Sequence, residues 1–246
     1  PVFESWVFRM SEPLRYYSTN RHLDGVPGIT PFRETVPFRE ALLMGQAPDE
    51  GLFMPETIPC LPADTLESLK GAAYTEAALL VVKAFLAAEI EEERLRQIVR
   101  DAYNFDVPLE NVFARKYLMR LDQGPTASFK DFAARLMARL MGALRDPGKR
   151  LNVLVATSGD TGSAVGDAYK GVEGIDVTIL YPRNEVSGRQ KTQLDTIGQN
   201  VRAVSVDGKF DDCQDLVKQA FADPGLADFN LTSANSINFG RILPQI

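Results

Sequence analysis

Histidine is almost missing from this chain: His22 stands alone in 246 residues. One imidazole cannot build a histidine-based metal site or a serine–histidine–acid triad, so both are excluded. Cysteine is nearly as scarce. Cys60 and Cys213 lie far apart without metal-ligand spacing, which excludes a disulfide framework and fits a reducing compartment. Basic clusters are absent too. No run of lysine and arginine exceeds two residues and the formal net charge is −6, so the chain carries no nucleic-acid footprint. The longest apolar stretch, 77–90, is interrupted by Lys83 and Glu89 and is too short to span a bilayer. Residues 1–10 lack the basic start and unbroken apolar core of a secretory signal. A cytoplasmic protein without metal, membrane or nucleic acid is the expectation.

At 45% hydrophobic and 24% charged residues, the composition suits one large folded domain or two smaller ones. The first half reads as mainly helical. A short apolar helix is expected over 38–45, a broad apolar stripe over 75–90, and a further helix over 91–103 with acids leading and arginines following. The second half alternates strand and helix. Strands are expected at 151–156, 176–181 and 201–206, helices at 161–170, 187–197 and about 211–222, and a fourth strand after 227–232. A final helix is expected over 239–246. Repeated units of this kind predict an α/β fold, a parallel sheet with flanking helices on both faces. Ligands bind such sheets at the carboxyl ends of the strands.

Two segments carry chemistry. Lys130 lies in Gly124-Pro-Thr-Ala-Ser-Phe-Lys-Asp-Phe, after a turn and at the start of an amphipathic helix. An amine must be uncharged part of the time to form an imine, and the positive end of a helix dipole disfavours an ammonium. Ala133 and Ala134 on the same face leave room for a ring. A lysine beside Asp131 is ordinarily just a surface residue, so the motif around it decides the reading. The second segment, Ala156-Thr-Ser-Gly-Asp-Thr-Gly, is a strand-to-helix turn with small residues, amides and hydroxyls suited to an anion. It lacks Gly-Lys-Ser/Thr, so it is no triphosphate loop, and a plain capped turn is its commonest meaning. Together the two segments read as a site for pyridoxal 5'-phosphate.

The same segments resemble the threonine synthase family, whose fold is that of the type II pyridoxal phosphate enzymes. Three more stretches agree in order: Arg15-Tyr-Tyr-Ser-Thr-Asn-Arg, Phe38-Arg-Glu-Ala-Leu-Leu-Met-Gly through Gly51-Leu-Phe-Met-Pro-Glu, and Asn235-Ser-Ile-Asn-Phe-Gly-Arg. The resemblance implies an extension at 1–14, an N-terminal domain at 15–108 and the first part of a cofactor-binding catalytic domain at 109–246. It implies Lys130 as Schiff-base lysine and proton shuttle, with Phe129 and Asp160 beside the cofactor. Asp160 falls near the cofactor's 3'-oxygen, where many relatives carry asparagine, and an aspartate suits that place only by sharing or holding a proton. Thr157, Ser158, Gly159, Thr161 and Gly162 are implied to bind the substrate carboxylate. Asn235, Asn238 and Arg241 are implied to bind its phosphate, although asparagine before a helix is also an ordinary cap. Ser187, Arg189 and Lys191, opening another helix, rank behind them.

The implied reaction turns O-phospho-L-homoserine and water into L-threonine and phosphate. A phospholyase of the same family and a non-catalytic relative are the alternatives. A dehydrogenase is disfavoured because Gly-x-Gly-x-x-Gly is missing after the first strand of the α/β region. Against the family pattern the chain reads as truncated. It has no later Gly-Asn-Phe-Gly loop to cradle the cofactor phosphate, and it stops inside an expected helix.

Overall fold

The computed structural model describes residues 12–246, so the expected extension at 1–14 falls almost wholly outside the described residues. Strand β1 (Arg15–Ser18) pairs antiparallel with β2 (Val36–Pro37), which leads directly into helix α1 (Phe38–Met44), and with β3 (Phe53–Pro55). Helix α1 starts after Pro37, which offers no capping side chain. Glu89 does this work from a distance, its carboxylate accepting the amides of Phe38 and Arg39 at 2.9 Å each. Helices α2 (Ala63–Ser68), α3 (Tyr74–Leu86) and α4 (Glu92–Ala102) follow. The expected 75–90 helix therefore ends at Leu86, and Glu89 belongs to a turn that serves α1.

Strands β4 (Leu109–Phe113) and β5 (Lys116–Met119) form a hairpin absent from the sequence expectation. Its turn places Ala114 at a φ of 49°, left-handed without the glycine or asparagine that usually announces such a bend. Every residue of both strands is exposed.

Helix α5 (Lys130–Leu144) runs through the centre of the molecule, with Leu136, Met137, Ala138, Leu140 and Met141 fully buried. Arg135 projects back from it and closes the C-terminus of α4, donating to the carbonyls of Ala102 at 2.6 Å and Asp101 at 3.0 Å. One hydrophobic core thus runs unbroken from Tyr16 to Leu243. Tyr16, Phe38 and Phe239 share it, with the Tyr16 and Phe239 ring centroids 5.0 Å apart.

The second half alternates as its pattern requires: β6 (Leu151–Ala156), α6 (Asp160–Tyr169), β7 (Ile175–Pro182), α7 (Gly188–Asp195), β8 (Val201–Val206), α8 (Phe210–Ala222) and β9 (Leu231–Ser233). The strands form one parallel sheet in the order β8-β7-β6-β9. Leu151, Val153 and Val155 alternate onto the side of α5 and α6, whereas Leu154 meets Cys213 and Val217 of α8 on the other face. Helix α9 (Phe239–Ile242) is shorter than expected and passes into a 3-10 turn over Leu243–Gln245. Pro244 lacks the amide that would carry the α-helix further. No helix of the described residues is long and apolar enough to cross a membrane.

Candidate active site

Helices α5 and α6 pack along one another, and their C-terminal parts touch: the Tyr169 hydroxyl lies 3.1 Å from Met141 Sδ, and Val172 abuts Gly142. They therefore run in the same direction. Because α6 begins at the carboxyl end of β6, both helices present their amino ends at the carboxyl edge of the sheet. Lys130 is the first residue of α5 and the 157–162 turn opens α6, so both stand at the amino ends of this helix pair.

The turn before Lys130 is held by Asp131. That side chain is completely buried and accepts from the Thr126 amide at 2.9 Å and hydroxyl at 2.6 Å. Gly124 packs so closely on it that a β-carbon would come within 2.4 Å of the carboxylate. Ala127, within this turn, takes a left-handed φ of 54°, a conformation that β-carbons disfavour and that only surrounding contacts can enforce. With Asp131 turned inward, Lys130 has no ion-pair partner among the described residues, and its Nζ lies 4.5 Å from the centroid of the Phe129 ring. It is half-buried. The ordinary surface pair of Lys130 with Asp131 does not form.

Phe129 is 55% exposed and borders a cavity of about 440 Å³ with Tyr74, Leu121, Leu136 and Leu243. Ala133 and Ala134, expected to leave room for a ring, are both buried, Ala134 within the central core.

In the 157–162 turn, Thr157 faces inward and is 1% exposed. Its hydroxyl oxygen accepts from the amides of Gly159 at 3.0 Å and Gly162 at 2.8 Å. The expectation that Thr157 and the amides of Gly159 and Gly162 are free for an anion is therefore corrected: they satisfy one another, because Thr157 is the internal cap of the turn. At the start of α6 the amides of Asp160 and Thr161 have no partner among the described residues, and Ser158 and Thr161 add hydroxyls to the same turn. Gly159 has a φ of 141°, outside the range of side-chain-bearing residues, and a β-carbon there would meet the Gln190 amide at 2.4 Å. Gln190 Nε2 donates to Asp160 Oδ1 at 2.8 Å.

The 235–241 segment is more structural than expected. Asn238 is fully buried, and its amide donates to the carbonyls of Leu42 at 2.8 Å and Ser233 at 3.0 Å. Its Oδ1 caps α9 by accepting the Gly240 amide at 2.9 Å. Both side-chain protons are committed, so Asn238 has no donor left for a substrate phosphate. Arg241 is buried as well, and donates to the Ala234 carbonyl at 2.8 Å. Burial pushes its guanidinium pKa down, with the Tyr169 hydroxyl acting in the opposite sense. The phosphate-binding expectation is corrected for Asn238, which braces the loop from behind; Arg241 keeps a buried Nε without a partner among the described residues. Asn235 is half-buried and its side chain makes no hydrogen bond with the described residues. Ser187 caps α7 in a reciprocal box with Gln190, while Arg189 and Lys191 are exposed on its first turn. No group of three or more metal-ligating side chains occurs among the described residues.

An unpaired, half-buried lysine and a turn with spare amides at one sheet edge suit a carbonyl cofactor and an anionic substrate. Residues 107–240 match the family of pyridoxal-phosphate dependent enzymes, and the chain belongs to it. Residues 15–103 match the threonine synthase N terminus, and the chain's relatives are threonine synthases. It is 42% identical over 214 residues to threonine synthase of Haemophilus influenzae, covering 87% of this chain and 50% of that protein. For the Escherichia coli (strain K12) threonine synthase the figures are 39% over 214 residues, 87% and 50%. The crystal structure of pyridoxal-phosphate-bound threonine synthase from Brucella melitensis superposes with a TM-score of 0.83 at 38% identity, over 94% of this chain and 50% of that one. The threonine synthase structure from yeast gives 0.80 at 32% identity, over 94% and 48%. The chain spans about half the length of the curated relatives it matches.

Proposed function

We propose that this protein is a cytoplasmic threonine synthase of the type II pyridoxal phosphate fold, converting O-phospho-L-homoserine and water into L-threonine and phosphate. The observation that supports the reading is that Lys130 and the 157–162 turn open two packed helices running the same way. Its kinship to threonine synthases supports the choice of substrate.

The residues fit pyridoxal phosphate. Lys130 offers an amine with no carboxylate to neutralise it, and Asp160, held by Gln190, belongs to the turn that opens α6, where it would suit the cofactor's 3'-oxygen by sharing a proton. Lys130 would hold the cofactor's aldehyde carbon through Nζ. When bound, the group supplies an electron sink that acidifies the carbon bonds next to the substrate nitrogen. The Lys130 amine would serve as the base for the α-proton and as the carrier that moves protons at the β-carbon. The amides of Asp160 and Thr161, with the hydroxyls of Ser158 and Thr161, would hold the substrate carboxylate at the positive end of α6. Asn235 is the member of its segment with a free amide for the phosphate.

The test is spectroscopic and chemical. The protein expressed with its complete reading frame is mixed with pyridoxal phosphate, its visible absorption recorded, and O-phosphohomoserine added. A lysine-dependent band and equal yields of threonine and phosphate are expected. Phosphate without threonine would assign the phospholyase alternative, and a silent Lys130→Ala would refute the site.

A further inference from the structure

Gln190 was not among the expected site residues, yet it touches the site from a different loop. It lies in the first turn of α7, after β7, whereas Asp160 follows β6. Its Oε1 accepts both the Ser187 amide and hydroxyl at 3.0 Å, and the Gln190 backbone N–H donates to Ser187 Oγ at 3.3 Å. An oxygen that receives a backbone N–H cannot be the nitrogen of the amide, so the orientation of this side chain is fixed. Nε2 must then face the other way, and there it meets Asp160 Oδ1 at 2.8 Å. The same amide lies directly beneath Gly159, at the distance that forbids a side chain there.

We infer that Gln190 is a positioning residue: it fixes the Asp160 carboxylate and the back of the 157–162 turn by joining the ends of β6 and β7. The inference rests on the proposed role of that turn beside the cofactor. Two jobs are fused in one side chain, a cap for α7 and a donor for Asp160, and chemistry can separate them. Glutamate is as good a partner for Ser187 as glutamine, because Ser-x-x-Glu is the ordinary capping box. It is no donor at neutral pH. Gln190→Glu therefore keeps the cap while setting two carboxylates against each other across the former 2.8 Å bond. A residue that served only to start α7 would accept this change. A residue that positions Asp160 would not.

The experiment uses the full protein loaded with pyridoxal phosphate. It compares the parent with Gln190→Glu, Asp160→Ala, Asp160→Asn and the exchange Asp160→Asn with Gln190→Glu. For Gln190→Glu we expect a loss of about 10-fold to 100-fold in kcat/KM, the size of a hydrogen bond to a charged group. The melting temperature should stay near the parent's and the absorption maximum of the bound cofactor should shift. In the exchange, asparagine at 160 donates to glutamate at 190, so the spectrum should return and most of the kcat/KM loss should be recovered. If Gln190→Glu keeps the parent's rate and spectrum while Asp160→Ala does not, the positioning role is overturned and the turn's role stands. If Asp160→Ala is silent too, the reading of the turn falls and the inference with it. An exchange variant no better than Gln190→Glu would also overturn it.

Discussion

Replacing Asn238 with alanine removes three hydrogen bonds in one step. The two carbonyls of Leu42 and Ser233 and the amide of Gly240 lose their partner inside a fully buried site. Each bond contributes about 0.5–1.5 kcal/mol net, and a buried group left unsatisfied costs about 1–3 kcal/mol. The rearranging chain recovers part of this, so the expected loss is about 3–5 kcal/mol. For a chain of this size that corresponds to a fall in melting temperature on the order of 10 °C. Differential scanning calorimetry measures it directly. Asn238→Asp should be worse than alanine, because a carboxylate would then face two carbonyl oxygens without a donor between them. The contrast with a ligand role is clean. A residue that binds the substrate phosphate would leave stability alone and raise KM. A melting temperature within about 1 °C of the parent, with a raised KM, would show that Asn238 reaches the ligand and that the loop is not braced as described.

Three further outcomes follow from the same structure. Lys130→Ala should lower turnover by several orders of magnitude with the melting temperature unchanged, since its amine has no ion pair to lose; steady-state kinetics within tenfold of the parent would refute the assignment. Thr157→Val keeps the shape but strips the cap from the Gly159 and Gly162 amides, which should cost about 1–3 kcal/mol in denaturant titration; an unchanged midpoint would mean that the turn is held otherwise. Asp49 is nearly inaccessible; burial alone would raise its carboxyl pKa, but the Ser18 hydroxyl and the amides of Phe32 and Gly51 outweigh it and hold it below the usual range. A folded-state pKa below the unfolded one adds stability above about pH 4 that is lost as pH falls through the folded value. Asp49→Asn should flatten this acid limb in pH-dependent melting, and a limb as steep as the parent's would contradict it.

The parallel sheet was legible because β6, β7 and β8 are apolar runs of strand length separated by helical patterns. The α5 stripe was equally plain. The β1–β3 sheet was not, since strands of 4, 2 and 3 residues are too short to display a period of two. The β4–β5 hairpin escaped because its turn uses Ala114 where a glycine signal was wanted. In the site, Lys130 was singled out by its motif, whereas Asp131 beside it, which read as the mark of an ordinary surface position, is turned inward and holds the Thr126 turn. Asn238 was named for the chemistry of its side chain, but sequence does not reveal which way a polar side chain turns. Gln190 could have been found as the fourth residue of a capping box, Ser187-Gly-Arg-Gln, yet its bond to Asp160 crosses 30 positions and no local pattern encodes it.

The sheet order has a consequence in time. Strand β6 is made first and sits inside the sheet, paired with β7 along one side and with β9 along the other. β7 arrives within a short helix-and-turn excursion, but β9 begins roughly 75 residues after β6 ends. At a synthesis rate of about 5–20 residues per second, the second edge of β6 stays uncovered for about 4–15 s. During that interval Asn152, Val153 and Leu154, the residues that later pair with β9, offer a template to any extended segment nearby. The shortness of β9, 3 residues, makes the final pairing weak by itself, and Phe239 in the following helix adds an anchor against Tyr16. Slower translation across 157–230 should therefore lengthen the exposure and reduce the soluble yield, with no change to any residue of the finished protein.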